Sequence, residues 1–313
     1  MQKFVKKITG VLHRIKAQSE TPAGKRIAGA LRMLLTVAII GYLAYQIYDI
    51  GVVNILQSLP RIPAYYLLFL LIYMLLPLSE LLIYRIVLPI PAVQGFLAFL
   101  RKKILNTDII GYSGEAFLLV WLRENVPAGT KKVFEVLKDN TIISSVASTF
   151  TALALMLIFA GTGTVDFLNF ISPTAAYAIL AVLFALLLAL IFFRKRLISM
   201  RLGTAFKIYG IHQIRLIIVY GLEVFNWSLV VPEVPWNVWF TFLALKIIAT
   251  RIPFLPSQDV LFTAVGMEFS KHLTNSSAAV SAVLLAGNVL SKLISLLFFG
   301  ITGAAALKSR KNI

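Results

Sequence analysis

Apolar positions along the chain gather into long runs divided by short polar or basic stretches. Crossing a bilayer takes about 20 apolar residues in a helix, and six runs meet that length cleanly: roughly 31–48, 64–84, 141–160, 174–193, 214–231 and 277–307. Two further runs are apolar but broken. The stretch 92–122 is interrupted by Arg101, Lys102, Lys103, Asn106 and Asp108, then by Gly111, Ser113 and Gly114; the stretch 236–270 is interrupted by Arg251, Pro253, Pro256, Ser257, Gln258 and Asp259. Non-helical backbone at membrane depth survives only against protein or a water-filled cavity, so each broken run reads as a re-entrant pair of half-helices. The order becomes span, span, broken hairpin, span, and then the same again. Because three crossings reverse direction, the second half is inverted. The predicted fold is an all-α polytopic membrane protein: six full spans plus two opposed re-entrant helical hairpins, an inverted repeat with halves 31–160 and 174–307 in one transmembrane domain over 31–313.

Ahead of these runs, residues 1–30 form a basic amphipathic segment. Phe4, Val5, Ile8, Val11, Leu12 and Ile15 fall at helical spacing among Lys3, Lys6, Lys7, Arg14 and Lys16, a pattern that suits a helix on an anionic membrane surface or simply marks topology. A Thr-Pro-Ala-Gly linker, Thr21 to Gly24, follows. The first apolar run comes too late and is too long for a cleaved signal peptide, and it reads as an uncleaved anchor.

Composition agrees with the pattern. At 59% apolar and 14% charged, the chain has too few charges to cover a soluble surface, where roughly 25% is usual. The net charge of +17 is a topology signal before it is anything else, since cytoplasmic loops collect Lys and Arg. Eight fall in 1–32, eight in 85–139, six in 194–215 and three in 308–313, which predicts a multi-pass protein of the cytoplasmic (inner) membrane with both termini in the cytoplasm. Spread over separate loops, this charge makes no nucleic-acid groove. With no cysteine and three isolated histidines, thiolate chemistry is excluded and imidazole chemistry has little to build on. No nucleophile or P-loop motif stands out, and no cofactor or metal is expected.

Candidate chemistry lies in charges that topology does not explain. In the first hairpin Gly111, Ser113 and Gly114 precede Glu115; in the second Pro253, Pro256, Ser257 and Gln258 precede Asp259, and that helix carries Glu268 further on. Each acid is either a first-turn carboxylate complementing the helix dipole or, beside unpaired N–H groups that face an anionic head group, a proton carrier or a contact for a cation. Arg251 has phosphate as a natural partner, or else pairs with Asp259 or Glu268. Glu80 and Glu223 sit inside spans, where an ionisable group is costly and turns toward a cavity or a partner; Lys246 and Lys292 are the cations available to them. The triplet Arg101, Lys102, Lys103 is a positive-inside marker or a collecting site for anionic lipid. Gly287, Ser291 and Ser295 recur every four residues in the last span, a close-packing stripe.

At the two hairpins the sequence resembles the bacterial and archaeal flippase-like family typified by the transmembrane region of lysylphosphatidylglycerol synthetases. The likeness is carried by Gly-Tyr-Ser-Gly-Glu-Ala at Gly111 to Ala116, and by the Pro-rich turn from Pro253 to Asp259 leading to Gly266, Met267 and Glu268. Ser257, Gln258 and Asp259 stand where that family usually has glycines. The resemblance implies a region that moves lipid between leaflets, without the soluble aminoacyl-transferase domain that follows it in the synthetases, and therefore no enzyme.

The function expected is a membrane lipid translocase for a phospholipid or lipid-linked intermediate, anionic or phosphate-bearing. Its substrate-binding residues would be Glu80, Glu115, Arg251, Ser257, Asp259 and Glu268, with Glu223 and Lys246 coupling or pairing. Two alternatives use the same sequence: a proton- or ion-coupled carrier for a small solute, and a non-transporting partner of a lipid-modifying enzyme that docks through its basic segment and loops.

Overall fold

A computed structural model of the protein describes residues 59–109, 111–162, 197–250 and 258–311, with isolated residues among 34–41 and 174–192. The basic segment 1–30, Arg251 and Ser257 lie outside the described residues, as do most of the first apolar run and most of the run 174–193. Every described element is helical: α1 (Pro63–Val87), α2 (Ala92–Ile104) continued by a π turn (Leu105–Ile109), α3 (Ser113–Asn125), α4 (Thr130–Thr162), α5 (Leu202–Val230), α6 (Trp236–Ala249), α7 (Gln258–Leu273) and α8 (Ser277–Lys311).

Among the described residues α1, α5 and the Ser277–Gly303 part of α8 are long and apolar enough to cross a bilayer. Their outward faces are apolar too. Leu67, Leu71, Leu78 and Leu82 are exposed along α1, Ile214, Ile217 and Ile218 along α5, and Leu293, Leu297 and Ile301 along α8. Apolar stripes of this length have no place in water; these are the helices of a membrane protein.

Local chemistry sets the helix ends. Pro63 starts α1, where a missing N–H costs nothing, and Pro89 stops it by forcing Leu88 into extended backbone (φ −137°, ψ 141°). Pro91 then precedes α2, and Arg101, Lys102 and Lys103 occupy its last turn, where the helix dipole favours cations. Two helices begin well before the apolar runs that announced them. In α4 the stretch ahead of residue 141 is charged but amphipathic: Lys131 pairs with Glu135 at 3.9 Å, and the buried Asp139 carboxylate accepts from the Ser199 and Met200 N–H groups at 2.8 Å each. That carboxylate ties α4 to the chain leading into α5, which likewise starts ahead of its apolar run.

Both broken runs fold as antiparallel helix pairs. In the first, Tyr112 takes left-handed backbone (φ 69°) and turns the chain back on itself. The Gly114 N–H donates to Asn106 Oδ1 at 2.7 Å and the Ser113 hydroxyl to the Leu105 carbonyl at 2.8 Å. In the second, α7 returns along α6 so that Phe262 lies beside Lys246 and Gly266 beside Phe242. Each pair has its own core. Phe99, Leu118 and Leu122 pack with Tyr84, Val133 and Ile208; Trp239, Phe242 and Phe262 pack with Trp227, Val283 and Leu284.

The first turn leaves no room at Gly114, where a Cβ would run into the Lys102 carbonyl and lie 2.7 Å from Asn106 Oδ1. Gly114→Ala is therefore expected to cost about 1–3 kcal/mol as an overpacked site. Thermal unfolding in detergent measures it, and a variant as stable as the parent would show that the two arms do not close this tightly.

Packing within the halves is matched. α2 lies on α1, α3 on α2 and α4 on α3; α6 lies on α5, α7 on α6 and α8 on α7. Between halves α1 packs against α5, and the α2–α8 contact has its counterpart in α6 against α4. The small-residue stripe of α8 meets α1: Gly287 lies under Tyr65 and Phe69, and the Ser295 hydroxyl bonds Tyr73 Oη at 2.9 Å.

Candidate functional site

Where the two helix pairs meet α1, α5 and α8 there is a cavity of about 290 Å³. Phe69, Leu76, Trp227, Phe262 and Leu284 give it apolar walls. Into it project three cations, Lys103, Arg215 and Lys246, and two carboxylates, Glu223 and Asp259, with Asn226 and Asn288 among the neutral polar groups.

Lys103 is positioned by a proline. Pro77 inside α1 has no N–H, so the Tyr73 carbonyl one turn back loses its helical donor. Lys103 Nζ donates to that carbonyl at 2.7 Å and lies 3.3 Å from the Tyr73 ring centre, which leaves its other protons available to the cavity. Lys246 bonds Glu223 Oε1 at 2.7 Å, joining α6 to α5. Asp259, in the first turn of α7, is 3.4 Å from the Ser291 hydroxyl. Arg215 differs from the lysines in lacking an anchor: among the described residues no carboxylate lies within ion-pairing distance of it. Its planar fork of donors is the geometry that binds phosphate or carboxylate bidentately.

Two buried ion pairs flank the cavity. Lys102 pairs with Glu80 of α1 and lies 3.3 Å from Glu115 Oε1 at the start of α3. Asp108 in the π turn pairs with Lys292 of α8, and both side chains are shut off from solvent. Three adjacent residues of the basic triplet thus go to three places. Arg101 lies over the Phe117 and Phe299 rings, 5.4 and 4.7 Å from their centres, Lys102 is buried among carboxylates, and Lys103 enters the cavity. Successive helical residues are about 100° apart, so the triplet is distributed by rotation and is not a solvated loop.

Of the residues expected from sequence, Glu223, Lys246 and Asp259 are brought together in the cavity, and Glu80 and Glu115 share Lys102 beside it. Glu268 stands apart, 64% exposed and paired with Lys271 at 2.7 Å. Arg251 and Ser257 lie outside the described residues. Missed by sequence reasoning were Arg215, Lys103 as a cavity residue, and the Asp108–Lys292 pair. Arg215 had a signal, an arginine one residue inside the run beginning at 214. Among the described residues no group of three or more His, Asp or Glu side chains is placed to hold a metal. Compared with known proteins, the chain matches no family model, no curated protein and no solved structure.

Proposed function

We propose that this protein is a lipid translocase of the cytoplasmic membrane, which passes the anionic head group of a phospholipid or lipid-linked intermediate through the cavity while the acyl chains stay in lipid. The observation that carries it is the cavity's charge: three cations against two carboxylates inside apolar walls, with no described carboxylate within ion-pairing distance of Arg215. A half-buried cation without an ion pair is costly, and a phosphate supplies what it lacks. A volume near 300 Å³, the lower end of small-ligand sites, suits a head group and excludes a whole lipid.

In this reading the two helix pairs are re-entrant hairpins that enter from opposite sides, and six long segments, α1, α4, α5 and α8 among them, make six crossings with both termini in the cytoplasm. Support comes from the matched packing of α1–α4 and α5–α8, as expected of an inverted repeat with its substrate site at the repeat interface. The chemistry is transport, with no covalent step.

The test is translocation in reconstituted vesicles. Fluorescent phosphatidylglycerol is expected to become accessible to external dithionite faster than in protein-free vesicles. No acceleration for this or for a polyprenyl-phosphate lipid would overturn the proposal, and solute-dependent proton flux in its place would identify a small-solute carrier.

A further inference from the structure

Three charged positions recur in the same order in the two halves. In the first half a lysine on the leading arm, Lys102, meets a glutamate of the preceding long helix, Glu80, and an acid in the first turn of the returning arm, Glu115. In the second half Lys246 holds Glu223 of the preceding long helix, and Asp259 is the acid in the first turn of the returning arm. Glutamate and lysine are 22 residues apart in one half and 23 in the other. The second acid follows the lysine by 13 residues in both.

What differs is access. The Lys246 side chain is 25% exposed and lines the cavity, whereas that of Lys102 is 6% exposed and does not. Three residues beyond Asp259, Phe262 is 6% exposed and forms part of the cavity wall; three beyond Glu115, Leu118 is fully buried and does not line it.

We propose that Glu80, Lys102 and Glu115 form a second, occluded site for the same anionic head group, which opens toward the opposite face of the membrane as the site at Glu223, Lys246 and Asp259 closes. This rests on the translocase reading above. When two related halves adopt unequal conformations, exchanging their roles yields a second state built from the same contacts, and substrate shifts the balance between the two. In the closed site two carboxylates neutralise the lysine, as burial requires; in the open one Lys246 keeps Glu223 and offers its remaining N–H groups to phosphate across the cavity.

The chain has no cysteine, so single cysteines report without background. Thr263→Cys on the cavity wall and Leu118→Cys at the closed site are reconstituted in phosphatidylglycerol-containing vesicles and treated with a membrane-impermeant maleimide on either face. Thr263→Cys is expected to react from one face and Leu118→Cys, more slowly, from the other. Lys102→Gln and Lys246→Gln are each expected to slow translocation of fluorescent phosphatidylglycerol at least tenfold per folded molecule. Leu118→Cys that reacts from neither face, or from the same face as Thr263→Cys, overturns the second site; Leu119→Cys replaces it if that variant does not fold. Lys102→Gln that melts earlier yet transports normally also overturns it, since Lys102 would then only hold the fold together. Opposite-face labelling in protein that moves no lipid supports two alternating sites and overturns the translocase reading alone.

Discussion

Lys292→Met is expected to destabilise the protein by about 3–5 kcal/mol, the usual consequence of removing one partner of a buried ion pair. Asp108 and Lys292 are each 0% exposed, and methionine would leave the carboxylate with no cation where neither water nor lipid can solvate it. Restoring neutrality should undo most of the damage. In Asp108→Asn/Lys292→Met nothing charged remains buried at this point, and such replacements are often neutral or stabilising. Thermal unfolding in detergent of the two single variants and the double variant measures the coupling. A double variant as unstable as Lys292→Met would show that the two charges do not compensate one another. The pair also has a mechanical role, because it fastens the π turn at the tip of the first hairpin to α8.

That contact shows where the sequence stops being readable. A lysine inside an apolar run and an aspartate at the end of a basic one are both visible, yet they stand 184 residues apart, and only the folded chain pairs them. Glu80, Glu223 and Lys246 were legible for a simple reason: each interrupts a hydrophobic run where a charge is costly. The breaks in both hairpins were legible because Gly111, Ser113, Gly114 and the prolines near 253–256 cannot continue an apolar helix. The early starts of α4 and α5 were not, since Lys131, Glu135, Lys138 and Asp139 depress hydropathy without opposing helix formation. Lys103 and Arg215 were hidden by the same arithmetic. Lys103 interrupts one apolar run and Arg215 lies at the edge of another, and counting positive charges assigns both to loops; helix rotation turns them to the cavity instead, with the proline-freed Tyr73 carbonyl holding Lys103 there.

Arg215→Gln is expected to reduce translocation of fluorescent phosphatidylglycerol by about 10-fold to 100-fold, what losing a charge-assisted hydrogen bond of roughly 1.5–3 kcal/mol to the head group implies. Stability should respond in the opposite sense to the Lys292 case. No described carboxylate pairs with Arg215, so the substitution strands no counter-charge and relieves a half-buried cation of its partial desolvation, leaving the melting temperature unchanged or raised. Arg215→Lys preserves the charge but not the bidentate fork, and intermediate flux would separate the two contributions. Unfolding of Arg215→Gln would mean that the guanidinium holds the structure together, and unaltered flux with unaltered stability would remove it from the transport path. A loss of flux in protein that melts no earlier ties the guanidinium to the lipid, because no ion pair within the described protein is given up when it is removed.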